Sequence, residues 1–84
     1  MAEKKIGVVT RYFSNIGVGA VKITSGSLKI GEKIHIKGNT TDFIQEVNSM
    51  QIENESVSEV KEGEEFGIKL KDRVRVNDDV YKVE

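Results

Sequence analysis

Cysteine, proline and tryptophan are absent from this 84-residue chain, and histidine occurs once. The lack of cysteine excludes a disulfide framework, a thiolate zinc site and a thiol nucleophile, and it fits a reducing compartment. The lack of proline leaves every backbone N–H available to a sheet ladder. No apolar run approaches the ~18 residues of a membrane-spanning helix. The first residues, MAEKKIGVV, carry lysines but no long apolar stretch, so no secretory leader is expected. A cytoplasmic protein without membrane contact is the expectation. No glycine-rich loop ends in Lys-Ser or Lys-Thr, so nothing cradles nucleotide phosphates in the usual way, and neither a nucleotide nor another cofactor is expected. Leucine and alanine are scarce too, at two each, against eleven valines and nine isoleucines. β-Branched side chains pack well on a pleated surface and lose rotamer freedom in helices, so the chain reads as all-β.

The length suits one domain over 1–84, with residues 1–4 as a loose lead-in. A chain this short buries only about 60–65% of its unfolded surface, enough for one core. The net charge of −1 hides a split: +5 from Met1 to Thr41, −7 from Asp42 to Ile68, and +1 from Lys69 to Glu84. A radius of gyration of roughly 12 Å exceeds the Debye length of about 8 Å, so opposite sides present separate fields.

The pattern along the chain predicts strands over Lys5–Phe13, Val18–Ile23, Lys33–Lys37, Glu65–Lys71 and Val80–Val83. Turns are expected at 14–17, 24–27, 38–41, 61–63 and 77–79. Between Asp42 and Ile52 the apolar residues fit a helical spacing. They also fit a strand whose phase slips once, and the β-rich context favours one long bulged strand. Residues 54–62 read as an acidic connection, and no internal repeat is evident. Many short, regularly spaced strands indicate a small closed barrel.

Gly26-Ser27-Leu28-Lys29-Ile30-Gly31-Glu32-Lys33-Ile34-His35-Ile36 resembles the second domain of translational GTPases such as elongation factor Tu. There, a glycine turn with an acidic residue likewise precedes an alternating strand. Val60 to Ile68 resembles a later strand of the same domain. The runs HIKGNTTDF (His35 to Phe43) and SMQIE (Ser49 to Glu53) are similar to small, stand-alone translation elongation factor-like proteins. The resemblance implies a closed Greek-key barrel of about six strands. It implies a non-catalytic module that contacts RNA or ribosome-associated components. Asp78 and Asp79 depart from it, standing where those factors commonly have a glycine. A related-looking barrel also occurs at the end of certain collagenase-type peptidases, and fold alone does not assign function.

The candidate site residues fall into groups, each with a plainer structural reading. Lys69, Lys71, Arg73 and Arg75 would form one basic stripe if their strand continued that far, as a phosphate backbone requires. The plainer reading is a solvated outer face. Arg11, Tyr12 and Phe13 set a cation beside two aromatic rings near a loop, which suits a stacked base and a phosphate, or else Phe13 is core and Tyr12 braces the sheet. His35 alternates away from Ile34 and Ile36 and so points outward. Without a nucleophile or neighbouring carboxylate in sequence it reads first as a surface hydrogen-bonding group and second as a ligand contact. Thr40, Thr41 and Asp42 present two hydroxyls and a carboxylate to a ligand, or close a turn on their own backbone. Asp78-Asp79 supplies too few ligands for a calcium cage, so no metal site is expected. The alternative function is a protein-interaction module that pairs with a separate enzyme or self-associates. It is motivated by the charge split and the want of a catalytic constellation.

Overall fold

The computed structural model describes residues 3–83. All its regular elements are strands: β1 (Glu3–Phe13), β2 (Val18–Ile23), β3 (Ser27–Lys29), β4 (Lys33–Lys37), β5 (Asp42–Glu46), β6 (Met50–Ile52), β7 (Glu55–Val57), β8 (Glu59–Lys61), β9 (Glu65–Lys69) and β10 (Asp79–Val83). Eight pair antiparallel in the order β5-β4-β10-β1-β2-β9-β6-β7, and β3 pairs with β8 as a separate ribbon. The long β1 is the spine of the sheet. Its register shifts between Lys5 and Gly7 and again between Val9 and Arg11, and such bulges bend and twist a strand. The curved sheet and the ribbon enclose one apolar cluster that includes Ile6, Val9, Val21, Ile34, Ile36, Phe66 and Val80.

The all-β class stands, but the picture of six strands in a closed barrel needs revision. Ten strands are present among the described residues, and the large sheet keeps two ends, β5 and β7, with no strand pairing between them. The expected bulged strand over 42–52 is two strands with different neighbours. Its phase slip is a corner at residues 47–49, where the Val47 N–H and C=O bond to Glu32 and Gly31. The acidic connection contains β7 and β8, whose strand character comes from their partners: Met50 faces Val57, and Leu28 faces Val60.

A repeat that the unaided sequence did not reveal organises the fold. Residues 27–37 (SLKIGEKIHIK) and 59–69 (EVKEGEEFGIK) match at a constant offset, with five of eleven positions identical. Each is a three-residue strand, a Lys-x-Gly-Glu turn and a five-residue strand, and the strands of the two copies share their burial patterns. In each turn the glycine has positive φ, +96° at Gly31 and +89° at Gly63, where a side chain would be strained. In each, the glutamate N–H donates to the lysine carbonyl, and the glutamate carboxylate accepts from the lysine N–H at 2.7 Å. The two short strands pair with each other in the ribbon. The two longer ones, β4 and β9, take matching places in the large sheet, each one strand removed from β1.

Gly38 marks a second tight approach. A Cβ there would lie 2.0 Å from Asp78 Oδ1. Asp78 is buried, and its Oδ2 accepts a 2.9 Å bond from the Arg75 N–H, so it does not simply swing aside. Gly38→Ala is therefore expected to destabilise the domain by about 1–3 kcal/mol in urea unfolding, as overpacking does. Asp78→Ala in the same chain should relieve the clash. An unchanged midpoint for Gly38→Ala would contradict this contact.

Candidate interaction surface

Cross-strand register brings together side chains that are distant in sequence. On the outer face, Ile44 of β5, His35 of β4, Tyr81 of β10 and Lys5 of β1 form one row. His35 is clamped from both sides: its Nδ1 lies 2.7 Å from Glu3 Oε2, and its Nε2 lies 2.5 Å from Asp42 Oδ1. A neutral imidazole carries one N–H, whereas carboxylates opposite both nitrogens match the doubly protonated ring. The Asp42 hydrogen bond is the main reason the His35 pKa is raised; burial opposes it and Glu3 adds to it. The same bond holds the Asp42 carboxyl below its usual range. With both ring nitrogens engaged, neither is free to act as a base or to take a metal. Among the described residues no cluster of three or more His, Asp or Glu side chains is arranged to hold one. The arrangement pins the start of β1 to the β4–β5 hairpin.

The remaining candidates scatter. The basic stripe does not continue, because β9 ends at Lys69 and residues 70–78 run in turns and irregular chain. Lys69 and Lys71 flank one groove, while Arg75 and Thr40 border a separate concavity beside Asp78. Arg73 is exposed between them, in irregular chain. Arg11 is exposed on β1, and Tyr12 packs against the edge of the core opposite Gly19, so the pair does not present a stacking platform beside the other cations. Thr41 is buried, and its carbonyl accepts from the Gly38 N–H at 2.7 Å.

A groove that sequence reasoning missed runs along the unpaired edge of β5. It has a volume of about 580 Å³ and is lined by Lys33, Ile44, Gln45, Glu46, Lys69 and Lys71, among others. Gln45 stands on the same strand face as the partly buried Phe43 and the buried Val47, yet it is polar. Its carboxamide crosses the seam: Nε2 donates to the Lys69 carbonyl at 3.0 Å, and Oε1 accepts from the Lys71 N–H at 2.9 Å. Ile44, facing out, is 43% exposed. The one available sequence signal was a glutamine in register with the apolar positions 43 and 47.

No protein-family model matches the chain. It is 37% identical over 78 residues to a collagenase of Porphyromonas gingivalis, matching 92% of this chain and 22% of that protein. It is 40% identical over 78 residues to an uncharacterized protease of Methanocaldococcus jannaschii, matching 92% of this chain and 19% of that one. The chain thus spans about a fifth of the length of these relatives. Among solved structures, the C-terminal domain of a Geobacillus thermoleovorans protein described as a U32 peptidase superposes with a TM-score of 0.89. The match covers 96% of this chain and 93% of that domain. At 15% identity that likeness concerns the fold.

These matches overturn the resemblance to translation elongation factors. They also overturn the expected RNA-binding role and ribosomal partners, since the similar proteins are proteases and the matching fold is a domain of one. The physical reason is that the motif was a turn. A glycine at positive φ followed by a glutamate that closes on the preceding lysine starts a barrel-like strand whatever the domain does.

The His35 clamp makes stability depend on pH. Because the folded-state pKa of His35 is raised, its contribution is whole below the ordinary value of 6.5 and is lost as pH climbs through the raised value. Because that of Asp42 is lowered, its contribution is whole above the ordinary 3.8 and is lost as pH falls through the lowered value. The melting-temperature gap between the native chain and His35→Gln should therefore be widest at about pH 4–6.5 and shrink as pH rises further into the alkaline range. An equal gap at both ends would contradict the clamp.

Proposed function

We propose that this chain is a non-catalytic protein-interaction module that works with a separate peptidase. The observation that carries this reading is the 78-residue similarity to a segment making up about a fifth of proteins named as proteases. A domain that size, with its lone histidine tied between two carboxylates, is suited to binding rather than to bond cleavage. The groove beside β5 and the lysines around it supply the contact surface, with Lys69 and Lys71 as contact residues. We take residues 1–84 as one such unit, in a cytoplasmic setting that its lack of cysteine fits. The large sheet acts as a barrel whose last seam is spanned by Gln45 rather than by a strand ladder.

The test uses the purified chain and a collagenase-like peptidase of the same organism, prepared without any matching segment of its own. The chain alone should leave gelatin intact. Mixed with the peptidase, it should form a complex detectable by light scattering below about 100 μM, the range of a modest interface. Gelatin hydrolysis by the chain alone, or no complex at that concentration, would overturn the proposal.

A further inference from the structure

The Gln45 carboxamide carries the donor and acceptor of a peptide group, and it aims both at the chain beside Leu70, as the N–H and C=O of one strand residue would. The Lys69 carbonyl and the Lys71 N–H flank Leu70, and a residue of a parallel strand opposite Leu70 would make those same two bonds. Across the seam, the β5 edge is also open. Backbone bonds at Val47–Glu32 and at Gly38–Thr41 fix which groups face β4, so by alternation the N–H and C=O groups of Asp42, Ile44 and Glu46 point away from it.

We propose that this seam is a docking groove for an extended, acidic polypeptide segment of the partner. One residue of that segment takes the place of the Gln45 carboxamide against Lys69 and Lys71. The inference rests on the interaction-module reading above and assigns its surface. Rotation of one side chain exchanges its donor and acceptor for the N–H and C=O of one strand residue, so the Lys69 carbonyl and the Lys71 N–H keep partners once the strand is in place. The charge of the groove selects the occupant. Lys33, Lys69 and Lys71 line it against the single carboxylate of Glu46, and among the described residues none of the three is ion-paired. Asp42 is engaged by His35. The exposed Ile44 offers an apolar contact beside these charges.

Two other occupants fit less well. A second copy pairing antiparallel through β5, centred on Ile44, would set Asp42 against Glu46 twice, and like charges directly opposite are destabilising. The other sheet end, β7, is only three residues long and lies among Glu53, Glu55 and Glu59, which repel an acidic segment.

The probe is a capped peptide of alternating glutamate and valine, six residues long, titrated into the ¹⁵N-labelled chain. The amide signals of Ile44, Glu46 and Lys71 should move, and the affinity should fall as salt rises. A lysine–valine peptide should leave them in place. Lys69→Glu with Lys71→Glu should weaken binding about tenfold or more, as charge reversal at a contact does. Gln45→Ala, if folded, should strengthen it about threefold by removing the internal competitor. Shifts confined to β7, equal binding of an oligonucleotide of the same charge, or a Gln45→Ala change in stability without peptide binding would each overturn the groove. If the peptidase complex forms while the acidic peptide leaves the seam unmoved, the groove falls and the functional reading survives. If neither binds, both fall.

Discussion

Two glutamates, each reaching back three residues to the amide of its own lysine, hold this architecture in place. Glu32 and Glu64 close matching turns, and each turn delivers the chain from the β3–β8 ribbon into the large sheet. The ribbon lays Leu28 against Val60, both fully buried, over the core. Further bonds tie the turns to their surroundings. Lys82 on β10 reaches both Glu32 and the Ser27 carbonyl, and the Gly63 N–H donates to Ile23 on β2. The two halves of the sheet are thereby fixed on either side of β1.

The symmetry ends beyond β4 and β9, and the groove beside β5 lies where it ends. β4 carries a full five-residue partner in β5, whereas β6 meets β9 at a single pair, Gln51 with Gly67. A sheet of such unequal halves does not meet itself, and an exposed strand edge invites unwanted pairing. Here the edge is guarded by Asp42 and Glu46 and bridged by one glutamine. The His35 clamp holds the same hairpin from the outer face, so the edge stays in position while its outward backbone groups stay open. The proteins named as proteases that match this chain carry a similar segment within much longer sequences.

Much of the fold was legible where alternation and glycine turns agree. β1, β2, β4 and β10 fall within a residue or two of where valine–isoleucine periodicity puts them. β7 and β8 were hidden because each offers one valine in an acidic stretch, and their identity as strands depends on partners elsewhere in the chain. The corner at 47–49 imitated a bulge, since a change of neighbour and a change of phase leave the same trace in a hydrophobic pattern. The His35 clamp was illegible for a related reason. Asp42 is seven residues away and Glu3 thirty-two, and only the register of three strands unites them. The repeat at residues 27–37 and 59–69 was present in the letters, but its meaning lay in hydrogen bonds that the letters do not display. The translation-factor likeness rested in large part on the same turn, and that part reported geometry rather than role.

The groove exists only because the sheet is left unpaired along β5. Residue-resolved hydrogen exchange measures that directly. The amides of Phe43 and Gln45, bonded toward β4, should exchange slowly, and those of Ile44 and Glu46 should exchange at rates near those of open chain. Equal, strong protection of all four amides in the isolated monomer would mean that the seam is closed by a strand, and the account would be wrong.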